Sequence, residues 1–237
     1  MKESELRTVT YAKLRVFYRD HLDGGGMAFG QDYLRLVPRL PTRPRTVFEW
    51  CAGPGFISFS LLAHGLCDSV CLADVNPDAI DVCRRTIDVN GLSNRVRLYH
   101  SDCLDGIPST ERWDLVVGNP PHSGTDRLLP WGPSAIYKDA GWTLHDRFWR
   151  SVPGFLNPRA AVLIQENSDL SKVSDFAGMI EGNGLRIVHV SDAGPANPDI
   201  YYIGAVRQED AGALRGFLNS GTRNLDAPLD GGARQEG

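Results

Sequence analysis

The sequence predicts a doubly wound α/β sheet, and three observations lead to this fold class. After residue 45, runs of β-forming apolar residues alternate with segments of helical periodicity. The 237 residues include 25 Gly and 15 Pro, so many short elements separated by turns are expected. A composition of 42% hydrophobic and 23% charged residues is typical of globular domains and excludes disordered, collagen-like and coiled-coil classes.

The first 45 residues predict a short helical cover segment that precedes the sheet. A helix is expected over 4–20, the glycine run 24–26 interrupts it, and a second short helical piece is expected over 31–37. A proline-spaced connector at 40–45 then leads into the first strand. This segment has nine basic and five acidic residues, whereas the rest of the chain is acidic and gives a net charge of −4.

Residues 46–210 predict the catalytic domain, a seven-stranded sheet that is mostly parallel. The last two strands lie too close for a crossover helix, so they are expected to form an antiparallel hairpin. Residues 211–237 are predicted to be a polar, Gly-rich tail, and a homodimer is one arrangement that would order it. Strands are expected at 46–50, 69–74, 96–100, 114–118, 160–164, 185–190 and 201–206, and helices at 55–64, 77–90, 143–155 and 173–181.

The cysteines and the apolar runs predict a cytoplasmic protein without a metal site. Five cysteines form no regular framework, and the pair Cys67 and Cys71 has no histidine or second cysteine pair nearby to complete a zinc site. No run approaches the ~18 apolar residues of a membrane span. The acidic N-terminus has no apolar core of a signal peptide.

A glycine-containing turn follows the first predicted sheet strand and leads into a helix. It reads Glu49-Trp50-Cys51-Ala52-Gly53-Pro54-Gly55-Phe56. Glycines at such a turn let a ligand approach the backbone at the N-terminus of the helix. Ser58 stands where a dinucleotide site would need a third glycine, and the Gly-Lys-Ser/Thr of a P-loop is absent from the sequence. The turn fits a cofactor without a pyrophosphate, and the alternative is a tight structural turn.

Three carboxylates, those of Glu49, Asp74 and Asp102, are expected at the carboxyl ends of neighbouring strands. In a parallel sheet these ends share the edge where ligands bind. Asp74 is placed to bind a ribose diol, and Glu49 would repel a pyrophosphate but attract a cationic amino-acid tail. S-adenosylmethionine has a sulfonium, an ammonium and no phosphate, so it is the predicted cofactor. The alternative role for Asp102 is to cap a helix rather than to bind a ligand.

The motif Asn119-Pro120-Pro121-His122 ends the fourth predicted sheet strand at the same edge. Neither proline can donate a hydrogen bond, and Pro120 holds Asn119 in an extended conformation. The side-chain oxygen of Asn119 and the main-chain oxygen of Pro120 are then two fixed acceptors for the hydrogens of a planar NH2 group. Positioning of this kind lowers a reaction barrier by several kcal/mol. The alternative is a proline-rich loop without a chemical role.

Together these motifs resemble the class I S-adenosylmethionine-dependent methyltransferases of the Asn-Pro-Pro-aromatic group. From Thr46 to about Val206 the chain is similar to the catalytic domain of release-factor glutamine methyltransferases. The glycine turn, Asp74-Val75-Asn76-Pro77-Asp78-Ala79, Asp102 and the Asn-Pro-Pro-His motif occur in the family's order and spacing. The resemblance implies a Rossmann-like fold and methylation of an amine, amide or guanidine nitrogen.

The resemblance also implies the residues that bind the cofactor. Glu49, Gly53 and Gly55 would hold the methionine moiety, Asp74 the ribose and Asp102 the adenine amine. The neighbours expected in the same site are Cys51, Ala52, Phe56, Val75, Cys103 and Asn119.

On the acceptor side, the resemblance implies that Asn119 and Pro120 hold the nitrogen, with Pro121 and His122 completing the catalytic motif. No strong general base is implied, because the nitrogen can lose its proton during or after transfer. His122 replaces the family's usual aromatic residue, and an imidazole can stack, hydrogen-bond or titrate near neutrality. Cys51 replaces the family's usual first glycine, which predicts a slightly repacked turn.

Residues 122–150 form a long excursion that is expected to cover the acceptor pocket, and 27–32 could close over the cofactor. Aromatic and acidic side chains there would suit a planar cation such as a guanidinium. A surface loop or a packing contact is the alternative for each residue. The candidate substrate-binding residues are Phe29, Trp131, Tyr137, Asp139, Trp142, His145 and Glu166.

The predicted reaction is methyl transfer from S-adenosylmethionine to a guanidine or amide nitrogen of a small, amino-acid-like molecule. The family's large helical substrate domain has no counterpart in the first 45 residues, which favours a small acceptor. One alternative is a protein glutamine N5-methyltransferase with a reduced recognition module. A nucleic-acid exocyclic-amine methyltransferase is disfavoured by the net charge of −4. A cofactor-binding protein without catalysis is disfavoured by the intact Asn119-Pro120-Pro121 motif.

Overall fold

The computed structural model describes residues 5–125, 137–193 and 197–214. The chain forms a two-stranded hairpin and a seven-stranded sheet that is covered by helices on both faces. The strands are β1 (Arg7–Tyr11), β2 (Leu14–Tyr18), β3 (Thr46–Trp50), β4 (Ser69–Asp74), β5 (Val96–His100), β6 (Trp113–Gly118), β7 (Leu156–Asn167), β8 (Leu185–Asp192) and β9 (Ile200–Arg207). The helices are α1 (Gly26–Phe29), α2 (Tyr33–Leu36), α3 (Phe56–Ala63), α4 (Pro77–Val89), α5 (Thr143–Ser151), α6 (Val173–Glu181) and α7 (Ala211–Leu214).

The strand order of the large sheet is β5-β4-β3-β6-β7-β9-β8. Its first five strands pair in parallel, whereas β9 pairs antiparallel with both β7 and β8. The predicted Rossmann-like sheet with a C-terminal antiparallel hairpin is therefore confirmed. The chain runs outward from β3 through β5 and then returns to the other side of β3 at β6. The crevice between β3 and β6 is the switch point at which such folds bind ligands.

Successive residues of the central strands are buried on opposite faces of the sheet. In β3, Val47 packs into the layer formed with α3 and α4, whereas Phe48 and Trp50 pack into the layer formed with α5 and α6. The Trp50 ring stacks on Phe148 of α5 with ring centroids 3.9 Å apart. Burial on both faces explains why the strands are continuous apolar runs, and it fixes the strand ends that form the site.

The helix predicted over 4–20 is wrong, because the chain forms the antiparallel hairpin of β1 and β2 there. This segment is rich in β-branched and aromatic residues, and their alternation favours strands over the helical spacing of its leucines. Ala12 adopts a positive φ of 49° in the turn. The main-chain N–H of Phe17 donates to Thr86 Oγ1 of α4 at 3.0 Å, which ties the hairpin to the sheet domain.

The other sheet strands and the longer helices lie where they were predicted, but β7 is longer, at Leu156–Asn167 instead of 160–164. The helical piece expected over 31–37 is present as α2 with flanking 3₁₀ turns, and the α5 segment ends earlier than predicted, in a 3₁₀ turn at Val152–Phe155. Of the predicted tail 211–237, only α7 lies within the described residues. The domain boundaries stay a prediction. In the described part of the chain, no helix is long and apolar enough to cross a membrane.

Candidate cofactor and acceptor site

A cavity of about 250 Å³ lies at the carboxyl ends of β3, β4 and β6, where the strand order reverses. The glycine turn, the strand ends and the Asn-Pro-Pro-His motif form its walls together with the segment before α1. The predicted cofactor residues that line it are Glu49, Cys51, Ala52, Gly53, Phe56, Asp74, Val75, Asp102, Cys103 and Asn119.

The glycine turn is held in left-handed backbone conformations. Gly53 has a φ of 51° and lines the cavity, whereas Gly55 has a φ of 76° and does not. A Cβ on Gly55 would lie 2.8 Å from the Phe59 ring, so this glycine serves the packing of α3 against the turn. Cys51 also has a positive φ of 51°, a conformation that favours glycine. The turn therefore keeps the backbone path that a glycine would take, with Cys51 strained.

Glu49 is a buried carboxylate in the cavity wall, with 2% of its surface exposed. It accepts hydrogen bonds from the main-chain N–H groups of Ser58 at 2.7 Å and Ile57 at 3.3 Å, in the first turn of α3. Burial raises the pKa of Glu49 to about 7, although these two hydrogen bonds oppose the rise. A bound cation would favour the ionised form, so the group fits the ammonium of an amino-acid tail.

The titration of Glu49 predicts that S-adenosylmethionine binds more tightly as the pH rises from about 5.5 to about 7.5. Glu49 is protonated below its pKa of about 7, so a bound cation must displace the proton, and affinity gains up to about tenfold per pH unit there. Calorimetry in buffers of different ionisation enthalpy measures both the affinity and the released proton. The variant Glu49→Gln should bind with equal affinity at both pH values. Equal wild-type affinities at both pH values would contradict this role.

Asp74 supports the glycine turn, and Asp102 lies at the outer rim of the cavity. The Asp74 carboxylate accepts from the N–H groups of Gly53 at 2.7 Å and Asn76 at 2.8 Å. Burial raises the pKa of Asp74 despite these bonds. Arg147 of α5 donates through Nη1 to both oxygens of Asp102, at 3.2 and 3.1 Å. The sequence did not reveal this ion pair, because its partners are 45 residues apart.

The acceptor motif lines the same cavity, but the Asn119 oxygen already accepts two hydrogen bonds. His122 Nε2 lies 2.8 Å from Asn119 Oδ1, and Gln165 Nε2 donates to the same oxygen at 3.0 Å. Asn119 Nδ2 donates to the main-chain oxygen of Gly24 at 3.1 Å. When His122 Nε2 carries a hydrogen, both lone pairs of Oδ1 are engaged, and an incoming NH2 group can bind Oδ1 only when one of these donors moves.

A buried chain of ionisable side chains extends behind His122. His122 Nδ1 is 3.2 Å from Glu166 Oε2, and Glu166 Oε1 is 2.9 Å from His145 Nε2. His145 Nδ1 is in turn 2.7 Å from Asp139 Oδ2. Asp139, His145 and Glu166 were expected to contact the substrate. The structure instead places them behind the cavity wall, in contact with one another, because each finds an oppositely charged partner in the interior.

The charges in this chain alternate. Burial by itself lowers the pKa of His145, but Glu166 and Asp139 outweigh it and raise the pKa to about 9. The carboxyl of Glu166 responds in the opposite sense. Burial would raise the pKa of Glu166, yet the nearby His145 lowers it. The pKa of Asp139 is also lowered, by hydrogen bonds to the His145 ring and to the main chain of α5. An imidazolium therefore lies between two carboxylates.

The remaining candidate substrate residues lie in different places. Tyr137 lines the cavity, whereas Trp142 packs against the His145 and Phe176 rings at centroid distances of 5.3 and 4.8 Å. Trp131 and the side chain of Phe29 lie outside the described part of the structure. Further residues line the cavity that were not predicted to do so, among them Leu22, Gly24, Gly26, Lys138 and Leu144. Of these, only Gly24 and Gly26 belong to a recognisable sequence feature, the glycine run 24–26.

The chemistry of the described walls fits a cationic cofactor. Three carboxylates and one lysine line the cavity, and none of its described lining residues is an arginine. Across the described ranges, no three His, Cys, Asp or Glu side chains are grouped as a metal site would require.

The model of the methyltransferase small domain family matches residues 9–145, more than half of the chain. Release factor glutamine methyltransferase from Cereibacter sphaeroides is 27% identical over 154 residues, which are 61% of this chain and 54% of that protein. Ribosomal protein uL3 glutamine methyltransferase from Neisseria meningitidis serogroup A is 33% identical over 84 residues, which are 35% of this chain and 27% of that protein. The chain thus covers about half or less of these curated relatives.

Among solved structures, the 16S rRNA N2 G1207 methyltransferase of Thermus thermophilus, in complex with AdoMet and guanosine, has a TM-score of 0.60 at 14% identity. The match covers 86% of this chain and 50% of that chain. The glycopeptide N-methyltransferase MtfA has a TM-score of 0.58 at 14% identity and covers 78% of this chain and 91% of that chain. These structural similarities show that this chain shares the fold of those proteins. Together with the family match they support S-adenosylmethionine as the cofactor, and the chain belongs to the methyltransferase small domain family.

Proposed function

We propose that the chain transfers the methyl group of S-adenosylmethionine to a glutamine side-chain nitrogen of a protein. The observation that carries the proposal is that the Asn-Pro-Pro-His motif and the carboxylate-lined turn are walls of one cavity. Two of the relatives are named for glutamine methylation, of a release factor and of ribosomal protein uL3. The small-molecule acceptor favoured by the sequence has no support among them, so a protein acceptor takes its place.

In this proposal the carboxylates of the cavity bind the cofactor. Glu49 pairs with the ammonium of the methionine moiety, Asp74 binds the ribose diol, and Asp102 binds the adenine amine. The buried position of Glu49 and the two amide donors of Asp74 support this assignment, because both carboxylates are fixed before a ligand arrives. When bound, S-adenosylmethionine supplies a methyl group activated by the positive sulfur.

The acceptor side of the cavity favours a neutral amide over a guanidinium. Asp139 and Glu166, which were expected to attract a cation, both bond to the His145 ring in the interior, and its positive charge balances part of theirs. Lys138 lines the cavity wall. A planar carboxamide offers the two hydrogens that Asn119 Oδ1 and the Pro120 carbonyl can accept once His122 releases Oδ1.

A second candidate acceptor is an exocyclic amine of rRNA. Ribosomal RNA small subunit methyltransferase C from Shewanella baltica is 27% identical over 141 residues, which are 59% of this chain and 40% of that protein. The solved rRNA methyltransferase similar in fold holds guanosine. The net charge of −4 weighs against RNA, because phosphate contacts supply most of the non-specific affinity for nucleic acids.

An assay with methyl-labelled cofactor distinguishes these acceptors. The protein is incubated separately with a release factor, ribosomal protein uL3, rRNA, and a mixture of free glutamine and arginine. The proposal expects label in one of the two proteins, and acid hydrolysis should release it as methylamine, because hydrolysis cleaves a methylated amide from its nitrogen. Label confined to RNA or to free amino acids would contradict the proposal.

A further inference from the structure

His122 is the residue at which the motif departs from the aromatic pattern, and its ring lies between two acceptor atoms. Nε2 is 2.8 Å from Asn119 Oδ1 and Nδ1 is 3.2 Å from Glu166 Oε2. The Asn119 oxygen is identified as Oδ1 because Gln165 Nε2 donates to it while Asn119 Nδ2 donates to Gly24. Neither facing oxygen carries a hydrogen to donate. Both contacts are therefore hydrogen bonds only when both ring nitrogens carry a hydrogen, which is the imidazolium form.

The neutral ring would change the acceptor site. With Nδ1–H retained toward Glu166, the lone pair of Nε2 faces the lone pairs of Asn119 Oδ1, and the contact becomes repulsive. Oδ1 is then free to accept a hydrogen from a substrate NH2 group, and Nε2 becomes a second acceptor in the same cavity wall. The protonation state of His122 thus decides whether the acceptor site is open.

We propose that His122 accepts the proton that the acceptor nitrogen gives up, and that Glu166, His145 and Asp139 position its ring for this exchange. The proposal rests on the proposed function. As the nitrogen forms its bond to the methyl carbon, the carbon–sulfur bond breaks, its electron pair stays on sulfur, and the nitrogen's proton passes to Nε2. The resulting imidazolium bonds again to Asn119 Oδ1, which expels the product, and His122 then returns the proton to water.

The buried chain is suited to this role because it fixes Glu166 beside His122 and balances part of its negative charge. Glu166 therefore orients the His122 ring without binding its proton too tightly for release. Glu166 on β7 is shared between His122 and the imidazolium of His145, whose pKa is raised to about 9, so part of its charge is already balanced. Ser171 Oγ lies 3.5 Å from Glu166 Oε2. The other charged groups among the described residues of the cavity wall are Glu49 on β3, Asp74 at the end of β4, Asp102, and Lys138 before α5.

The first test needs neither cofactor nor acceptor. Nitrogen NMR of labelled histidine rings, with the His122 signals assigned by their loss in His122→Phe, reports which ring nitrogen loses its proton as the pH rises. The proposal expects both nitrogens protonated at low pH, and then loss of the Nε2 proton with Nδ1 still protonated. A neutral ring that keeps its proton on Nε2 would overturn the proposal, whatever the acceptor is.

The second test is the pH profile of single-turnover methylation of the release factor or of uL3, whichever accepts the label, at saturating cofactor. The wild-type rate should rise tenfold per pH unit until His122 is neutral and then level off, over the pH range that NMR gives. His122→Phe should lack this rise and be about 10²-fold slower on the plateau. His64→Gln, at the distant end of α3, should keep the wild-type profile.

Glu166→Gln tests positioning separately from packing. If Glu166 orients His122, this variant should lose the preference for a proton on Nδ1 and shift the rise in the rate profile to lower pH. An unchanged rise in His122→Phe, or a uniform loss of rate with the rise preserved, would overturn the role of His122 as proton acceptor. If neither protein is methylated, the proposed function fails, and the NMR result on the wild type still decides the tautomer.

Discussion

Asn119→Ala is expected to slow methyl transfer about 10²–10³-fold while leaving the affinity for S-adenosylmethionine within a few-fold. This loss is typical when a single preorganised hydrogen-bonding group is removed from a reacting centre. Asn119 lies at the wall between cofactor and acceptor, and its oxygen is held at a fixed place by Gln165 and His122. Single-turnover rates and calorimetric cofactor affinities provide the two measurements.

The control for Asn119→Ala must separate lost chemistry from lost stability. Removal of the carboxamide leaves Gly24, Gln165 and His122 without this partner, at a cost of about 1–3 kcal/mol for each group that stays buried. A urea titration therefore establishes that the variant is folded under the assay conditions. Asn183→Ala, which removes an amide bonded only locally at the end of α6, should leave both the rate and the affinity unchanged. An Asn119→Ala variant with the wild-type rate would rule out the proposal that Asn119 holds the acceptor nitrogen.

Glu166→Gln is expected to lower the free energy of unfolding by about 3–5 kcal/mol at neutral pH, because it leaves the buried His145 imidazolium with one carboxylate fewer. His145 has 0% side-chain exposure and Glu166 has 1%, so water cannot replace the lost charge. Urea denaturation compares the variant with the wild type. The matched control is Asp146→Asn, which breaks an exposed pair with Arg150 on the same helix and should cost at most about 1 kcal/mol. Equal losses in the two variants would contradict the buried charge chain.

The same chain predicts how wild-type stability depends on pH. The pKa of His145 is raised from 6.5 to about 9 in the folded protein, so its contribution is complete below about 6.5 and is lost as the pH rises through about 9. Glu166 and Asp139 have lowered pKa values, so their contributions are present above their ordinary values and are lost as the pH falls through the folded ones. Glu166→Gln should weaken the loss at high pH, which urea denaturation at several pH values would measure.

The sheet and the cofactor side of the cavity could be predicted because they depend on local sequence. The strands at 46–50, 69–74 and 96–100 have the predicted bounds, since each is a short β-forming run between turns. In contrast, β1 and β2 were predicted as a helix. The two strands pair with each other, and their alternating β-branched and aromatic residues are a local strand signal that the helix prediction overlooked. The contact of Phe17 with Thr86 of α4, which ties the hairpin to the sheet domain, is not visible in a local pattern.

The acceptor side depends on contacts that no spacing rule reveals. His122, His145 and Glu166 are separated by 21 to 44 residues, and only the folded sheet brings them together behind the wall. These residues were recognised as candidates from their type, but their pairing with one another in the interior could not be predicted. For the same reason the sequence suggested a free Asn119 oxygen, whereas the folded chain supplies it with two donors. Gly55 was assigned to the cofactor for its position in the turn; the fold adds two further reasons for a glycine there, its positive φ and the Phe59 ring beside it.

We propose that one cavity brings the methyl group of the cofactor to a glutamine amide nitrogen. The most direct measurement combines cofactor with an isotope-labelled methyl carbon and a release factor or uL3 with isotope-labelled glutamine side-chain nitrogen. After one reaction cycle, NMR of the product should show a one-bond coupling between the new methyl carbon and the glutamine nitrogen. A methyl group that enters the protein without this coupling, or no incorporation into either protein, would contradict the claim.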